Sequence, residues 1–345
     1  MLPSLEHLSR LCDDTGLIEH AWHSLPRRDS GYTTDDNGRL LVVIARTDLT
    51  VMGERAVGEG ARLGHTALAY LKSAALPEGH GFRNRMSYER RWVDTRGSDD
   101  SYGRAMWGLG AMAARTLQPE LREAAHDLYW ANAEFFSTHS RAVAYALIGA
   151  VEMADLDGSA ALRRHIRRLA DQMLPERAMG APPGWHWPEQ RLTYDNARLP
   201  EAIIGAGRVL SDQRLIDVGL GWLRWLVSTE MSREGDWFSF TPVGGRGPGD
   251  TGPAFDQQPL EAWAMMDACV AATRIGLEEW LGVAERAVSW FLGRNDLHQA
   301  MVDFNSGAGF DGLTRNGPNR NQGAESSLAA FAATSNQTAG LLRRR

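Results

Sequence analysis

Two pairs of adjacent aspartates, Asp35–Asp36 in "YTTDDNGRLL" and Asp99–Asp100 in "GSDDSYGRAM", stand at matched places: each precedes an arginine, Arg39 or Arg104, and then an apolar run. "TYDNARLPEA" repeats the theme with Asp195 and Arg198, and "FDQQPLEAW" offers Asp256. A single aspartate at a helix start is explained by capping, because its oxygen accepts a free backbone N–H. A pair asks for more, since one carboxylate suffices for the cap and the second points elsewhere. Like charges held close raise one pKa, which keeps a carboxylic acid protonated near neutral pH. Two carboxylates facing across a cleft suit glycosidic bond cleavage. One protonates the leaving oxygen, and the other activates water at a separation of about 6.5–9.5 Å or attacks the anomeric carbon at about 5–5.5 Å. Asp36, Asp100, Asp195 and Asp256 are therefore the candidate acid, base or nucleophile, with Glu89 and Glu325 next.

Other residue types fit a sugar. Asp35 and Asp99 complete the acidic crown, and Asn37, Asn196, Gln257, Gln258 and Gln322 add neutral groups suited to hydroxyls. Trp92, Trp185, Trp187, Tyr102 and Tyr194 lie in or beside turn-like stretches, where an aromatic face packs on a pyranose. Arg39, Arg104, Arg141 and Arg198 recur in the first turn of four apolar runs, and bidentate pairing with the crown explains them. His139 and His186 fall near the same helix starts or in adjoining loops, and as a pair they would suit general acid–base chemistry on a free sugar.

The elements that position these groups recur along the chain. Six segments pass from a polar turn into an Ala- and Gly-rich apolar body: "TTDDNGRLLVVIAR", "GSDDSYGRAMWGLGAMAA", "THSRAVAYALIGAVEMA", "TYDNARLPEAIIGAG", "FDQQPLEAWAMMDACVAA" and "NQGAESSLAAFAA". A helix that is apolar all round is buried on every side. Five amphipathic stretches follow them, such as "SAALRRHIRRLADQML", and "SLEHLSRLCDD" at the N-terminus supplies a sixth. Six inner and six outer helices predict an all-α (α/α)6 barrel, a toroid of six helical hairpins. Every inner helix is entered from an outer one, so all inner N-termini share one mouth. The loops 76–98, 175–194, 231–255 and 295–322 fall on that face, and "GFRNRMSYERRWVD" reads as a small hairpin over the cleft. The predicted organisation is one domain over residues 1–335 and a flexible tail over 336–345.

Composition narrows the partners. The net charge is −6, and only Arg343–Arg345 forms a basic block, so a nucleic acid partner is excluded. The N-terminus lacks a signal-peptide pattern, and the most apolar run, from Ala142, is too short to span a bilayer and carries Glu152. A cytoplasmic protein without a membrane span is expected. Cys12 and Cys269 cannot build a disulfide framework and read as buried thiols. No metal-ligand spacing or phosphate loop occurs, so neither metal nor cofactor is expected.

The stretches "HSLPRRDSGYTTDDNGRLL", "LTYDNARLPEA", "FDQQPLEAWA", "LGRND" and "NRNQGAESSLA", spanning His23 to Ala329, resemble the six-hairpin glycosidase superfamily. More closely, they resemble a bacterial helical family within it, whose members occur alone or fused to a retaining-type glycosyltransferase. The resemblance implies an (α/α)6 glycosidase with acids at inner-helix N-termini or adjoining loops, and inversion as its outcome. It also implies an oligo- or polysaccharide substrate and functional association with a glycosyltransferase. Two alternatives remain open at this point: a sugar epimerase or isomerase using His139 and His186, and a non-catalytic carbohydrate-binding domain accessory to a glycosyltransferase.

Overall fold

The computed structural model describes residues 4–134, 136–174 and 180–335. After α1 (Glu6–Leu11), inner and outer helices alternate. The inner ones are α2 (Thr34–Arg46), α4 (Asp99–Arg115), α6 (Ser140–Met153), α8 (Arg198–Leu210), α10 (Pro259–Thr273) and α12 (Ala324–Thr334). The outer ones are α3 (Glu54–Ala74), α5 (Pro119–Asn132), α7 (Ala160–Gln172), α9 (Gln213–Glu230) and α11 (Trp280–Ser289), with α1 completing the layer against α12. Each inner helix packs on the next around the ring, and α12 closes onto α2. The predicted (α/α)6 barrel is the observed one.

Patterning explains the layers. Every residue of α4 from Ser101 to Ala113 is buried, whereas α7 buries Leu162, His165, Ile166, Leu169 and Ala170 on one face. A fully apolar helix needs neighbours on all sides, and a striped one needs a wet face. Cys12 and Cys269 are buried free thiols.

The inner helices α2, α4 and α6 approach backbone to backbone. A Cβ on Gly110 would lie 2.3 Å from the Gly149 carbonyl oxygen, and one on Gly108 would lie 2.4 Å from that of Gly38. Overpacking against rigid backbone cannot be relieved by a rotamer change. Gly110→Ala should therefore destabilise the fold by about 3 kcal/mol in urea titration; a loss below about 1 kcal/mol would show that the ring yields there.

Two-residue strands are confined to the connecting segments: β1 (Ala21–Trp22) with β2 (Leu25–Pro26), β3 (Tyr32–Thr33) with β4 (Arg85–Met86), and β5 (Leu313–Thr314) with β6 (Gly317–Pro318). The expected hairpin over the cleft is corrected in detail. Met86 does bridge to Trp92, but β4 also pairs with β3, and the tip packs along the N-terminal segment. There Tyr88 stacks on Tyr32, and Arg90 pairs with Asp14 at 2.6 Å. Residues 336–345, expected as a tail, lie outside the described residues, as do 175–179 of one mouth loop.

At the end opposite the mouth, a cavity of about 510 Å³ opens between α2, α3 and α4, lined by Thr47, Leu49, Gly64, Met112 and Leu121. No crown carboxylate lines it. No described helix is long and apolar enough to cross a membrane.

Candidate functional site

The helix starts gather into one network of alternating charge. The caps of α2 and α4 are not the aspartates: Thr33 accepts from the Asp36 N–H, and Ser98 accepts from the Ser101 N–H, both at 3.1 Å. A hydroxyl ahead of each aspartate pair, two residues before Asp35 and one before Asp99, does the capping, so neither carboxylate of a pair is needed for the cap.

On the α2–α12 side, Asp36 accepts from the Thr33 hydroxyl at 2.7 Å and from Arg39 at 3.0 Å, and Arg39 also binds Glu325. Asp36 and Arg39 are buried, whereas the Glu325 side chain is 35% exposed. Burial raises the Asp36 carboxyl to about 7 against the pull of Arg39, and the Glu325 charge adds to the rise. Stability linked to Asp36 is then fully present below the ordinary carboxylate range and is lost as pH rises through about 7. A rise of this size corresponds to about 4 kcal/mol in favour of the neutral form. Asp36→Asn, which mimics that form, should melt near the wild type at pH 4.5 and above it at pH 8.5. An equal difference in Tm at both pH values would contradict the assignment.

Arg104 organises the next sector. It donates to Asp35 at 3.1 Å, Asp100 at 3.2 Å and the Tyr145 hydroxyl at 3.1 Å. Asn84 donates to the other Asp35 oxygen at 3.0 Å, and the Tyr194 hydroxyl donates to Asp100 at 2.5 Å. The Asp35 and Asp100 side chains are each 20% exposed, so both reach solvent at the mouth. Asp99 turns away from Arg104 and accepts from Ser137 at 2.7 Å.

Between α6, α8 and α10 the Tyr145 hydroxyl donates to Asp195 at 2.5 Å. Asp195 has a left-handed backbone, φ 48°, and its N–H donates to Glu261 of α10 while the Asn196 N–H donates to the other Glu261 oxygen at 3.1 Å. Burial and the like charges of Glu230 and Asp195 push the Glu261 carboxyl well above the usual range. Arg141 grips both Glu189 oxygens, at 2.6 and 2.7 Å, and donates to Asn196 at 2.8 Å. Below this ring Arg198 descends into the barrel, paired with Asp195 at 3.4 Å, Glu201 at 2.6 Å and Asp267 at 2.7 Å. Asp256 enters from the loop before α10 and keeps a buried Oδ1 without a partner among the described residues. Its charge and that of Glu325 act with burial to raise the carboxyl of Asp311, a neighbouring loop residue. Gln258, half-buried, occupies the N-cap position of α10, and the buried Oε1 of Gln322 has no partner among the described residues.

The structure thus joins Asp35, Asp36, Asp100, Asp195, Glu325, Arg39, Arg104 and Tyr194 at the mouth, with Arg198 below them. Several expectations are corrected. Trp185 and Trp187 are buried against Trp225 of the outer helix α9, with ring centroids at 4.8 and 6.0 Å, and exposed His186 lies beside them. Tyr102 points outward and donates to the Asn132 carbonyl of α5 at 3.1 Å, and Trp92 packs on Tyr70 of α3. Asn37 accepts from the Leu17 N–H and donates to the Thr33 carbonyl, and Asn196 is wholly buried in backbone bonds and ion-pair contacts. Gln257 donates to Asp296 at 2.6 Å and accepts from Trp290. Glu89 is exposed at the hairpin tip, and His139, with a side chain 72% exposed, lies 4.0 Å from Asp99. Sequence reasoning missed Tyr145, Asn84, Glu189 and Glu261. Glu261 carried a signal, since it is the first-turn acid of "QPLEAW", but Tyr145 stands within an apolar helix and carried none.

No protein-family model matches the chain, and no curated protein does either. Solved structures do. A sugar epimerase from a ruminal bacterium is similar with a TM-score of 0.69 and 13% identity, over 96% of this chain and 95% of that one. A D-mannose isomerase is similar at 0.71 and 10% identity, over 97% and 95% of the two chains. An α-1,6-mannanase of Salegentibacter sp. HEL1_6 is similar at 0.60 and 10% identity, over 98% of each chain; it is an inactive variant, with alanine at two consecutive aspartates, in complex with α-1,6-mannotetrose. At these identities the likeness is one of fold, and by that measure this chain is a six-hairpin (α/α)6 barrel.

Proposed function

We propose that this chain is a carbohydrate-active enzyme, a glycoside hydrolase that cleaves an oligo- or polysaccharide with carboxylates at the barrel mouth. One observation carries the reading: carboxylates in opposed settings share the mouth. Asp36 is raised to about 7 beside Glu325, and Asp100 is paired with Arg104 and the Tyr194 hydroxyl. Groups whose environments differ in this way can divide acid and base roles. Glu325 and Asp256 stand on the acid side with Asp36, whose raised carboxyl is the local proton reservoir. Asp100, with Asp35 beside it, stands on the base side. Tyr194 is the aromatic that faces the substrate there. The mannanase that is inactive with two consecutive aspartates replaced lends support, because this chain bears two such pairs on adjacent inner helices. Residues 1–335 act as one barrel domain in the cytoplasm in this reading, and the family resemblance implies association with a glycosyltransferase.

Product release from a broad glycan panel by the wild type and Asp100→Asn, each checked for folding by circular dichroism, tests the proposal. Release that collapses in the folded variant supports it. Measurable glycan binding with no release by the wild type would replace it with the accessory binding domain.

Sugar epimerisation or isomerisation is the second reading, favoured by neighbours of that activity. In its original form it needs His139 and His186 together, yet one is at the start of α6 and the other beside outer helix α9. Isomerised sugar product that disappears in His139→Ala or His186→Ala would restore it.

A further inference from the structure

The outer face of the barrel carries a second feature that the mouth chemistry does not use. A groove of about 580 Å³ runs along α9, lined by His186, Asp217, Gly221, Trp222, Arg224 and Trp225. Its size falls within the about 300–1,000 Å³ typical of small-ligand sites. The α9 residues share one face by helical spacing, with Gly221 and Arg224 exposed on it and Trp222 buried.

The groove is built around a fixed aromatic. Trp225 is half-buried, its indole N–H donates to the Gly184 carbonyl at 3.0 Å, and its ring rests on Trp185 and Trp187. An indole held in this way offers apolar surface at little further entropic cost. Beside it Gly221 leaves the floor open, because a Cβ there would meet nothing within 4 Å. Asp217 and Arg224 flank the opening with opposite charges, and His186 adds a ring nitrogen from the facing loop. Arg224 has no ion pair among the described residues.

We infer that this groove is a secondary saccharide-binding site on the outer layer, separate from the mouth. A pyranose presents an apolar face and a rim of hydroxyls that both donate and accept. The groove supplies the matching set: indole, carboxylate, guanidinium and imidazole. Its balanced charge argues for a neutral ligand over a phosphate or an acidic peptide. The site lies behind inner helix α8, so a polymer held here would be anchored outside the catalytic mouth. The inference extends the carbohydrate reading but does not depend on bond cleavage.

Affinity gel electrophoresis of the full chain in soluble yeast α-mannan, laminarin, xylan and dextran tests it. Gly221→Leu is the informative variant: it fills the groove, enters open space and removes a helix-interior glycine, so folding should be retained or improved. Arg224→Ala, on the exposed face, is the second variant should the first fail to fold. The expected result is retardation of the wild type by at least one polymer. Dissociation constants should rise about tenfold in Gly221→Leu and about threefold in Arg224→Ala. No retardation by any polymer, wild-type retardation in both groove variants, or loss confined to Asp100→Asn would each overturn the site. Because retardation is read without turnover, failure of the hydrolase reading leaves this result separately legible.

Discussion

Arg198→Met is expected to lose about 4 kcal/mol or more of folding stability, the range for removing one partner from a buried ion network. The Arg198 side chain is 1% exposed and holds Asp195, Glu201 and Asp267, two of them within 2.7 Å. Its guanidinium also lies 4.4 Å from the Trp107 ring centroid and 4.8 Å from that of Trp263. Methionine keeps much of the volume but leaves three buried carboxylates, of which Arg46 still reaches Asp267 at 2.9 Å and Glu201 at 3.6 Å. Charges that lose their counter-ion must take up protons to remain buried, so the deficit should shrink as pH falls. Urea denaturation at pH 5 and pH 8 measures both quantities. A deficit below about 1 kcal/mol at pH 8 would mean that water or repacking replaces the arginine. Arg198→Lys should fall between, because it keeps the charge and loses the planar fork.

The second large effect concerns turnover. Asp100→Asn should lower product release about 10³-fold, the middle of the range for a positioned acid or base. Its fold should survive, because Asp35 still binds Arg104 at 3.1 Å and the Asp100 side chain already meets solvent. Tyr194→Phe removes only the hydroxyl that donates to Asp100 and should cost about tenfold. The internal control is Asp99→Asn: the same pair, the same helix turn, but a side chain bound to Ser137. It should stay within about threefold of the wild type. Asp99→Asn failing as badly as Asp100→Asn would remove the distinction that the geometry draws. A folded Asp100→Asn with wild-type release would remove Asp100 from catalysis altogether.

The helices and their layering were legible because burial on all sides and burial on one side write different patterns, as α4 and α7 do. The mouth was legible because connectivity alone makes the inner helices parallel. Side-chain direction was not. Trp185 and Trp187 have the composition of a cleft lining, but their rings found a partner in Trp225 on the outer layer. Tyr102 is one position from Ser101 and two from Asp100, a rotation sufficient to turn it from the mouth towards α5. Asn37 and Asn196 follow crown aspartates directly, yet unpaired backbone groups claimed both. Tyr145 lies inside the apolar body of α6, and only the assembled ring sets its hydroxyl between Arg104 and Asp195.

The glycine contacts divide the ring mechanically. Helices α2, α4 and α6 touch one another through their main chains, whereas α10 and α12 contain no glycine, and the close main-chain contact on α12 comes from a loop, Gly309 against the Ser326 carbonyl. Main chain against main chain has no rotamers to yield, so three adjacent staves are stiff and the opposite arc is compliant. Asp35, Asp36 and Asp100 ride on the stiff arc; Asp256, Glu261 and Glu325 ride on or beside the compliant one. The aperture between the two carboxylate groups is therefore set by the compliant arc, and the bore of the barrel and the reach of its acids become a single mechanical variable.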